Sequence, residues 1–512
     1  VMLLLGPPGQ AAAASADTTA EITADTAADT ASVEALLRCC LRELPGWDDG
    51  PHRMLRLGGV PVRARVRGLA LRFDGRPEAL LDGGWEPLTS DRLASLAQAA
   101  LFGDNAEFAA QVAGSRATIA EILAARRNVA PPADPWLASE QALVAGHPCH
   151  PSPKSRAVPL AYAPETHARF PLRLLAVRAG LVAEEGDVSA LDRIAAAPEG
   201  YVLLPAHPYQ VELLAPDFGA DLVDLGPAPA DVVPTSSVRT VYDPLIDKCL
   251  KFSLNVRITN CVRKNAWYEL SGAVELSSRL GPVFADLAAR FPGTAWLPEP
   301  GYRSVRLGTR LLEGLGVLIR CSPWGRCAPG VTPILAGALA TGFTPLGDPV
   351  AWWRAYVERV ALPVLDAYAR HGVVLEPHLQ NVLIGLDADG SPVQAVFRDM
   401  EGTKLIAGRH DLPPGRVSEA MTYDAERGWD RVVYCLFVNH LAEIAATLGG
   451  EERLWPVARE VIAEAAETHG WPLDDLLTRP TLPAKANLSV RWARLADRAA
   501  GYVPVRNPLL PC

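Results

Sequence analysis

The stretch Glu376-Pro377-His378-Leu379-Gln380-Asn381-Val382-Leu383-Ile384 is followed by Asp387-Ala388-Asp389-Gly390, then by Val393 to Phe397 and Arg398-Asp399. Two apolar runs flank an Asp-Gly pair, which predicts a β-hairpin because Asp-Gly supplies the turn that a twisted strand pair needs. A hairpin brings its outer ends together, so Glu376, His378, Gln380 and Asn381 are expected beside Arg398, Asp399 and Glu401. Carboxylates and amides gathered there suit a Mg²⁺–nucleotide site, since Mg²⁺ takes oxygen ligands shared with phosphate. The plain alternative is a buried polar turn.

A protein kinase sets its catalytic loop, hairpin and metal-binding aspartate in a similar order, and the five-residue step from Glu376 to Asn381 agrees. Ahead of the hairpin, Trp352, Tyr356, Val360 and Val364 recur at helical spacing. They predict an amphipathic helix over 351–370, with Gly372 at C′ and a kink at Pro363. Segments 418–448 and 451–469 also read as helices.

Upstream, 234–265 carries Arg239, Lys248, Lys251, Arg257, Arg263 and Lys264 against Asp243 and Asp247, a local balance of +4 in a chain of −9. Phe252, Leu254, Val256 and Ile258 alternate with Lys251, Ser253, Asn255, Arg257 and Thr259. Period two means a strand with one apolar and one cationic face. Lys251 and Thr259 then share a face, Arg263 stays aligned with Thr259, and Ser237 and Arg239 share a face of an extended segment. A single-signed excess mixed with Ser, Asn and Thr favours an anion-binding floor over a solvated surface.

A third segment, Gly146-His147-Pro148-Cys149-His150-Pro151-Ser152-Pro153-Lys154-Ser155-Arg156, holds three prolines that enforce a stiff loop. It presents imidazole, ammonium and guanidinium groups, which suit phosphate or carboxylate; the alternative is a rigid polar turn. A second His-Pro lies in Ala206-His207-Pro208-Tyr209-Gln210.

Composition bounds the rest. The 512 residues are 49% hydrophobic and 21% charged, enough for two to four domains with packed cores. The net charge argues against nucleic acid or an anionic membrane as partner. Nine irregularly spaced cysteines without a CxxC pair suit reduced thiols in a cytoplasm and give no structural zinc signal. Only six of 49 basic residues are lysine, so a retained lysine marks a place where arginine does not serve. Residues 1–32 read as a disordered tail with no secretion signal. The uncharged run 327–347 is cut by Pro and Gly, and reads as loop plus a short buried helix rather than a membrane span. P-loop, Rossmann and G-x-S-x-G motifs are absent.

Taken together, the 146–156 loop, Ala206 to Gln210, Pro234 to Thr240, Lys251 to Arg263, Glu376 to Asn381, Arg398-Asp399 and Asn507-Pro508-Leu509 resemble, in order, the motifs of the IucA/IucC family of NRPS-independent siderophore (NIS) synthetases. The resemblance implies an α+β fold of cupped-hand form: a mostly helical thumb over 33–145, fingers over 146–330 and a palm over 331–512 that holds the hairpin. It implies ATP and Mg²⁺, a cytoplasmic homodimer, and small-molecule partners with neither nucleic acid nor membrane. The reaction implied adenylates a carboxylate, commonly of citrate, and condenses it with an amine or alcohol. By motif position, His147, Lys154, Ser237, Arg239, Lys251, Arg263, Asn381 and Asp399 would contact ATP. Thr259, Arg263, His378 and Gln380 would contact the carboxylate, and Glu376, Asn381 and Asp399 would lie near Mg²⁺. Arg263, His378 and Lys251 are the expected catalytic groups, and Lys485 and Arg491 are candidates for the nucleophile pocket. One departure is Val158, where the family's loop commonly has glycine. A kinase-like phosphotransferase and a non-enzymatic citrate or ferric-citrate binder are the alternative readings.

Overall fold

The computed structural model describes the backbone of residues 23–155, 158–258, 261–263, 265–495 and 501–511, and side chains at all of these but 257, 258 and 261–263. The class is α+β, as expected. At its centre is an eight-stranded antiparallel sheet, in the order Tyr201–Ala206, Phe170–Arg178, Leu222–Pro234, Thr240–Asp243, Lys248–Phe252, Val317–Cys321, Gly301–Val305 and Val182–Gly186. Beside it is a four-stranded sheet of Thr294–Trp296, Pro392–Phe397, Val382–Leu386 and Thr332–Leu335. The expected hairpin is its centre: Val382–Leu386 pairs antiparallel with Pro392–Phe397, and Gly390 turns the chain at φ 77°.

The long helix expected over 351–370 runs Pro349–His371. Asp348 caps it by accepting the Val350 and Ala351 N–H groups, Pro349 enters at its first turn, and Gly372 ends it at φ 61°. Its Trp352, Trp353, Tyr356, Val357, Val360 and Val364 are buried in the largest core. That core also takes the helical run Ala425–Leu448 and the helix Glu451–His469. The run Ala425–Leu448 is long and apolar enough to cross a membrane, yet 78% of its most apolar window is buried inside the protein, as a core element is. Its middle, Tyr434–Leu441, is wound as π-helix, a local form often found at functional positions.

Several expectations are corrected. The tail does not reach residue 32: a helix covers Ala24–Glu43, with Thr23 as N-cap and Ala28, Ser32 and Val33 buried. Small Ala and Ser side chains let this helix pack closely, where composition alone suggested disorder. The strand-like segment that the sequence shows around Leu55 to Phe73 of the otherwise mostly helical 33–145 region belongs to a longer five-stranded sheet, Gly46–Asp49 through Gly84–Pro87. A boundary at 330 does not divide the packing. The 24-residue helix Trp267–Arg290 buries Leu276, Leu280, Phe284 and Leu287 in the core of the long helix. Thr294–Trp296 pairs in parallel with the hairpin. In the 327–347 run, the expected short buried helix is Ala336–Leu339, and the strand Thr332–Leu335 stands before it where a loop was expected. Residues 418–448 hold the helix Arg416–Met421 and the strand Thr422–Tyr423 before the helical run begins.

The N- and C-terminal parts meet. Glu43 accepts from the Leu488 and Ser489 N–H groups at 2.6 and 2.7 Å, capping the short helix Asn487–Trp492. Asn487 Nδ2 donates to the Cys149 carbonyl at 2.7 Å, and Arg38 to the Pro148 carbonyl at 3.0 Å. The proline-rich loop is therefore gripped from both sides.

Candidate active site

The hairpin mouth is closed by backbone bonds: Asn381 N–H to His378 O at 2.8 Å and Arg398 N–H to Asn381 O at 3.0 Å. Asp399 follows in the left-handed region, φ 68° and ψ 54°, where Asp and Asn are the best tolerated residues after glycine. This conformation turns the chain so that Asp399 and Glu401 reach the same cation. Lys251 Nζ lies 2.6 Å from Asp399 Oδ1 and 2.5 Å from Glu401 Oε2.

Lys251 comes from the centre of the large sheet, opposite Thr240 and Leu318, and its side chain is only 3% exposed. Burial opposes its charge, but Asp399 and Glu401 outweigh burial and raise its pKa. In return the Asp399 carboxyl, which burial alone would raise, is held well below the usual range by Lys251 and Arg320. Glu401 is lowered against burial by Lys251 and Arg239. Arg320 donates to Asp399 at 2.5 Å and to buried Glu299 at 2.6 Å, and Glu299 accepts the Glu401 N–H at 3.2 Å. Arg239 bonds Asn265 at 2.5 Å and stands 4.0 Å from Glu401.

The single long strand expected over 251–259 is broken at Ser253. Its hydroxyl donates to Glu313 O at 2.5 Å and accepts the Asn265 N–H at 3.0 Å, drawing the chain out of the sheet. Leu254–Ile258 pairs instead with Cys261–Arg263, placing Arg263 opposite Leu254. The expected alignment of Arg263 with Thr259 falls outside the described residues. Thr259, Lys264 and Arg156 lie outside the described residues, as do the side chains of Arg257 and Arg263. Ser237 and Arg239 are not extended either: Thr240 N–H bonds Ser237 O at 2.9 Å, a turn.

That turn is fastened to the hairpin. Gln380 Nε2 donates to Ser236 O at 3.1 Å, and Arg398 to Ser236 Oγ at 3.1 Å. Arg398 also forms a two-pronged, buried pair with Glu140 at 2.5 and 3.0 Å. Burial would raise the Glu140 carboxyl, but Arg398 overrides it and its pKa is lowered.

On the other side of the hairpin mouth, His147 Nδ1 accepts the Cys149 N–H at 3.0 Å, and its Nε2 lies 2.7 Å from the Asn439 carboxamide. Burial, with His150 and His378 adding to it, lowers His147 to about 3. His378 Nε2 is 3.2 Å from Asn381 Nδ2, and burial lowers its pKa too, against the pull of Glu376. The charge of Lys485 bears on both imidazoles. Behind them His440 Nδ1 is 2.6 Å from the Pro377 carbonyl and its Nε2 2.5 Å from the Tyr356 hydroxyl, fixing the residue before His378.

Two expected ligands are engaged elsewhere. Lys154 is buried against Glu165, so its charge is already countered. Glu376 pairs with Arg431 at 2.7 Å; burial would raise it, and Arg431 lowers it. Asn381 Nδ2 faces Glu376 O and His378. The carboxylate that meets Asp399 on a shared cation is Glu401. The second His-Pro is a capping device, with His207 Nδ1 accepting the Tyr209 N–H at the head of the helix Pro208–Leu214.

Arg320, Glu299, Glu140, Arg431 and Asn439 were not anticipated. Only Arg320 carried a signal, a lone charge inside the apolar run Val317–Cys321. A cavity of about 720 Å³ opens beside Glu376 and Glu401, walled by the helix Trp267–Arg290 and by residues 419–431.

The IucA / IucC family matches residues 135–341, and a family described as ferric iron reductase FhuF-like transporter matches residues 350–500. The chain is 30% identical over 438 residues to the L-2,3-diaminopropanoate–citrate ligase of Staphylococcus aureus, covering 73% of this chain and 75% of that one. It is 31% identical over 448 residues to the rhizobactin siderophore biosynthesis protein RhbC of Rhizobium meliloti, with the same shares. ATP-bound aerobactin synthetase IucA from Klebsiella pneumoniae superposes with a TM-score of 0.80 at 25% identity, over 94% of this chain and 99% of that one. With relatives this similar over this much of their length, and a matching fold, the chain belongs to the IucA/IucC family of siderophore synthetases.

Proposed function

We propose that this protein is an ATP-dependent ligase of siderophore biosynthesis that activates a carboxylate of citrate or a citrate derivative. A carboxylate oxygen attacks the α-phosphorus, the bond to the β-phosphate breaks, and pyrophosphate leaves. The nitrogen of an amine, or the oxygen of an alcohol, then attacks the acyl carbon. The bond to AMP breaks and AMP departs with the electron pair, while the nucleophile loses a proton. The diaminopropanoate–citrate ligase relative supports an amine. The enzyme works in the cytoplasm as a homodimer on small molecules, with no nucleic acid or membrane partner.

The observation that carries this reading is the alternation of charge around Lys251: two carboxylates and the guanidiniums of Arg320 and Arg239, held against one another. Preorganised charge of this kind stabilises a transition state without reorganisation at the moment of reaction. Ser237, Arg239, Lys251 and Arg263 hold the triphosphate, with His147 and Asn381 at its edge. Thr259, Arg263, His378 and Gln380 orient the carboxylate. His378, its pKa lowered by burial, is neutral at pH 7 and able to take the proton of the attacking nitrogen.

The donor set fits Mg²⁺, because Asp399 and Glu401 are hard oxygen ligands already converging on one cation. These two would hold it, and Mg²⁺ would supply charge neutralisation of the phosphates. Glu376 and Asn381, tied to Arg431 and His378, brace the loop beside them.

The test is incubation with ATP, Mg²⁺, citrate and hydroxylamine. AMP, pyrophosphate and a hydroxamate are expected. ADP would instead identify a phosphotransferase, the reading that the kinase-like order of the hairpin favours. Citrate binding without turnover would identify a binding protein.

A further inference from the structure

The helices Trp267–Arg290 and Pro349–His371 are clasped near their C-terminal ends by groups that take no part in the reacting cluster. Asp286 and Arg290 stand four residues apart on the first, and Asp366 and Arg370 four apart on the second, so each pair shares a helix face. The pairing is crossed: Arg290 donates to Asp366 Oδ1 at 2.9 Å, and Arg370 stands 3.6 Å from Asp286 Oδ2. His371, the last residue of its helix, brings its Nε2 to 3.0 Å from that same Asp286 oxygen.

This clasp leaves one atom over. Asp366 is 0% exposed, and its Oδ1 is used twice, by Arg290 and by Trp471 Nε1 at 2.9 Å. Its Oδ2 is buried and has no hydrogen-bond partner among the described residues. A buried carboxylate oxygen left in that condition costs free energy, and it calls for a water or an ion. One ligand atom from each of Asp286, Asp366 and His371 lies within 4.8 Å of the other two. Atoms bound at about 2.1 Å to one ion lie roughly 3–4 Å apart, so small side-chain rotations close the set. The C-terminal ends of both helices carry partial negative charge, which also favours a cation.

We propose that Asp286, Asp366 and His371 bind a divalent transition-metal ion, with Zn²⁺ the best match, and that the ion pins the two helix ends together. One imidazole nitrogen with two carboxylate oxygens suits Zn²⁺ better than Mg²⁺ or Ca²⁺, which take oxygen alone. The two carboxylates balance its charge. The proton between His371 Nε2 and Asp286 goes to solvent as the ion takes its place. Arg290 and Trp471 stay on Oδ1 and orient the carboxylate, while Arg370, on the solvent side at 38% exposure, turns outward. His371 and Asp286 are partly exposed and give the ion a way in. No cysteine takes part, which is why the cysteine pattern gives no sign of this site. The site is structural and stands independently of the ligase reading.

Equilibrium dialysis of the metal-stripped whole protein against Zn²⁺, without ATP or citrate, reads the site as ions held per chain. One ion is expected, with a rise in melting temperature, because a ligand of the native state stabilises it. His371→Gln and Asp286→Asn, both at partly exposed positions, should each weaken that binding at least about tenfold and lose the rise, with circular dichroism unchanged. Should either variant fold poorly, the other decides. Asp399→Asn should hold Zn²⁺ as the wild type does. Less than one ion per chain, an affinity undiminished in the folded variants, or loss of the ion in Asp399→Asn would overturn the proposal, the last by placing the ion at the Lys251 cluster.

Discussion

Lys251 and Asp399 lie 148 residues apart in sequence and meet at 2.6 Å, Nζ to Oδ1, across the junction of the two sheets. Glu401 shares the same ammonium. Removing the lysine would leave two carboxylates pressed together, with Arg320 at Asp399 and Arg239 at 4.0 Å from Glu401 as the nearest counter-charges.

Lys251→Met is therefore expected to lower citrate-dependent pyrophosphate release by about 100-fold or more, the scale for one preorganised electrostatic group. It should also lower the melting temperature. Adding Glu401→Gln should recover much of the thermal stability but none of the activity. A single variant that melts as the wild type does would show that the buried triad is not what the lysine stabilises.

Asp399→Asn separates charge from backbone. Asparagine tolerates φ 68° about as well as aspartate, so the chain path at the hairpin mouth should survive. Circular dichroism should be unchanged, while pyrophosphate release falls by about 100-fold or more. Activity near that of the wild type would remove Asp399 from the reaction.

Arg263→Ala is expected to abolish adenylation with the fold intact, measured as ATP–pyrophosphate exchange beside a melting curve. Wild-type exchange rates would count against Arg263 as the group that bridges phosphate and carboxylate.

The Glu140–Arg398 pair is buried on both sides. Deleting one partner of such a pair costs about 3–5 kcal/mol, because the other charge is left unpaired. Glu140→Gln should show most of this loss in urea denaturation. Glu140→Leu with Arg398→Met should lose less than either single change, and a strictly additive result would argue against direct coupling.

His207 and His440 are both 0% exposed, and burial lowers them to about 3 and about 4, from 6.5. Their folded pKa values lie below the unfolded ones, so the unfolded chain binds more protons and stability rises with pH through that window. Between about pH 6 and 5 the two together should remove at most about 3 kcal/mol per pH unit, with a shallower slope toward pH 6.5 and pH 4. Denaturant melts at pH 7, 6 and 5 check this, and a flat profile would show that these rings are solvated in the native state.

Much of this was legible in the sequence, for physical reasons. The 382–397 hairpin and the helix from Pro349 to His371 declare themselves through Asp389-Gly390, Gly372 and the helical spacing of Trp352, Tyr356, Val360 and Val364, all of which act locally. The rest depended on distant partners. Nothing near Ser253 announces that Glu313 will take its hydroxyl, so the period-two pattern ran straight through a strand break. Glu140 looks like any surface acid until Arg398 arrives from 258 residues away. Lys154 looked like a phosphate ligand because its buried partner Glu165 lies outside the loop that carries it. The alanine-rich start of the first helix was hidden for the opposite reason: its burial comes from tight packing of small side chains, which composition does not reveal.

The grip on the proline-rich loop has a consequence for synthesis. Arg38 holds Pro148 and Asn487 holds Cys149, while Glu43 waits to cap the helix that Asn487 begins. A nascent chain can assemble both sheets and the long helix well before residue 487 leaves the ribosome. It cannot seat His147 beside Asn439 with the loop fully anchored until then. A chain released before residue 487 would lack the Asn487 hold on the loop that carries His147.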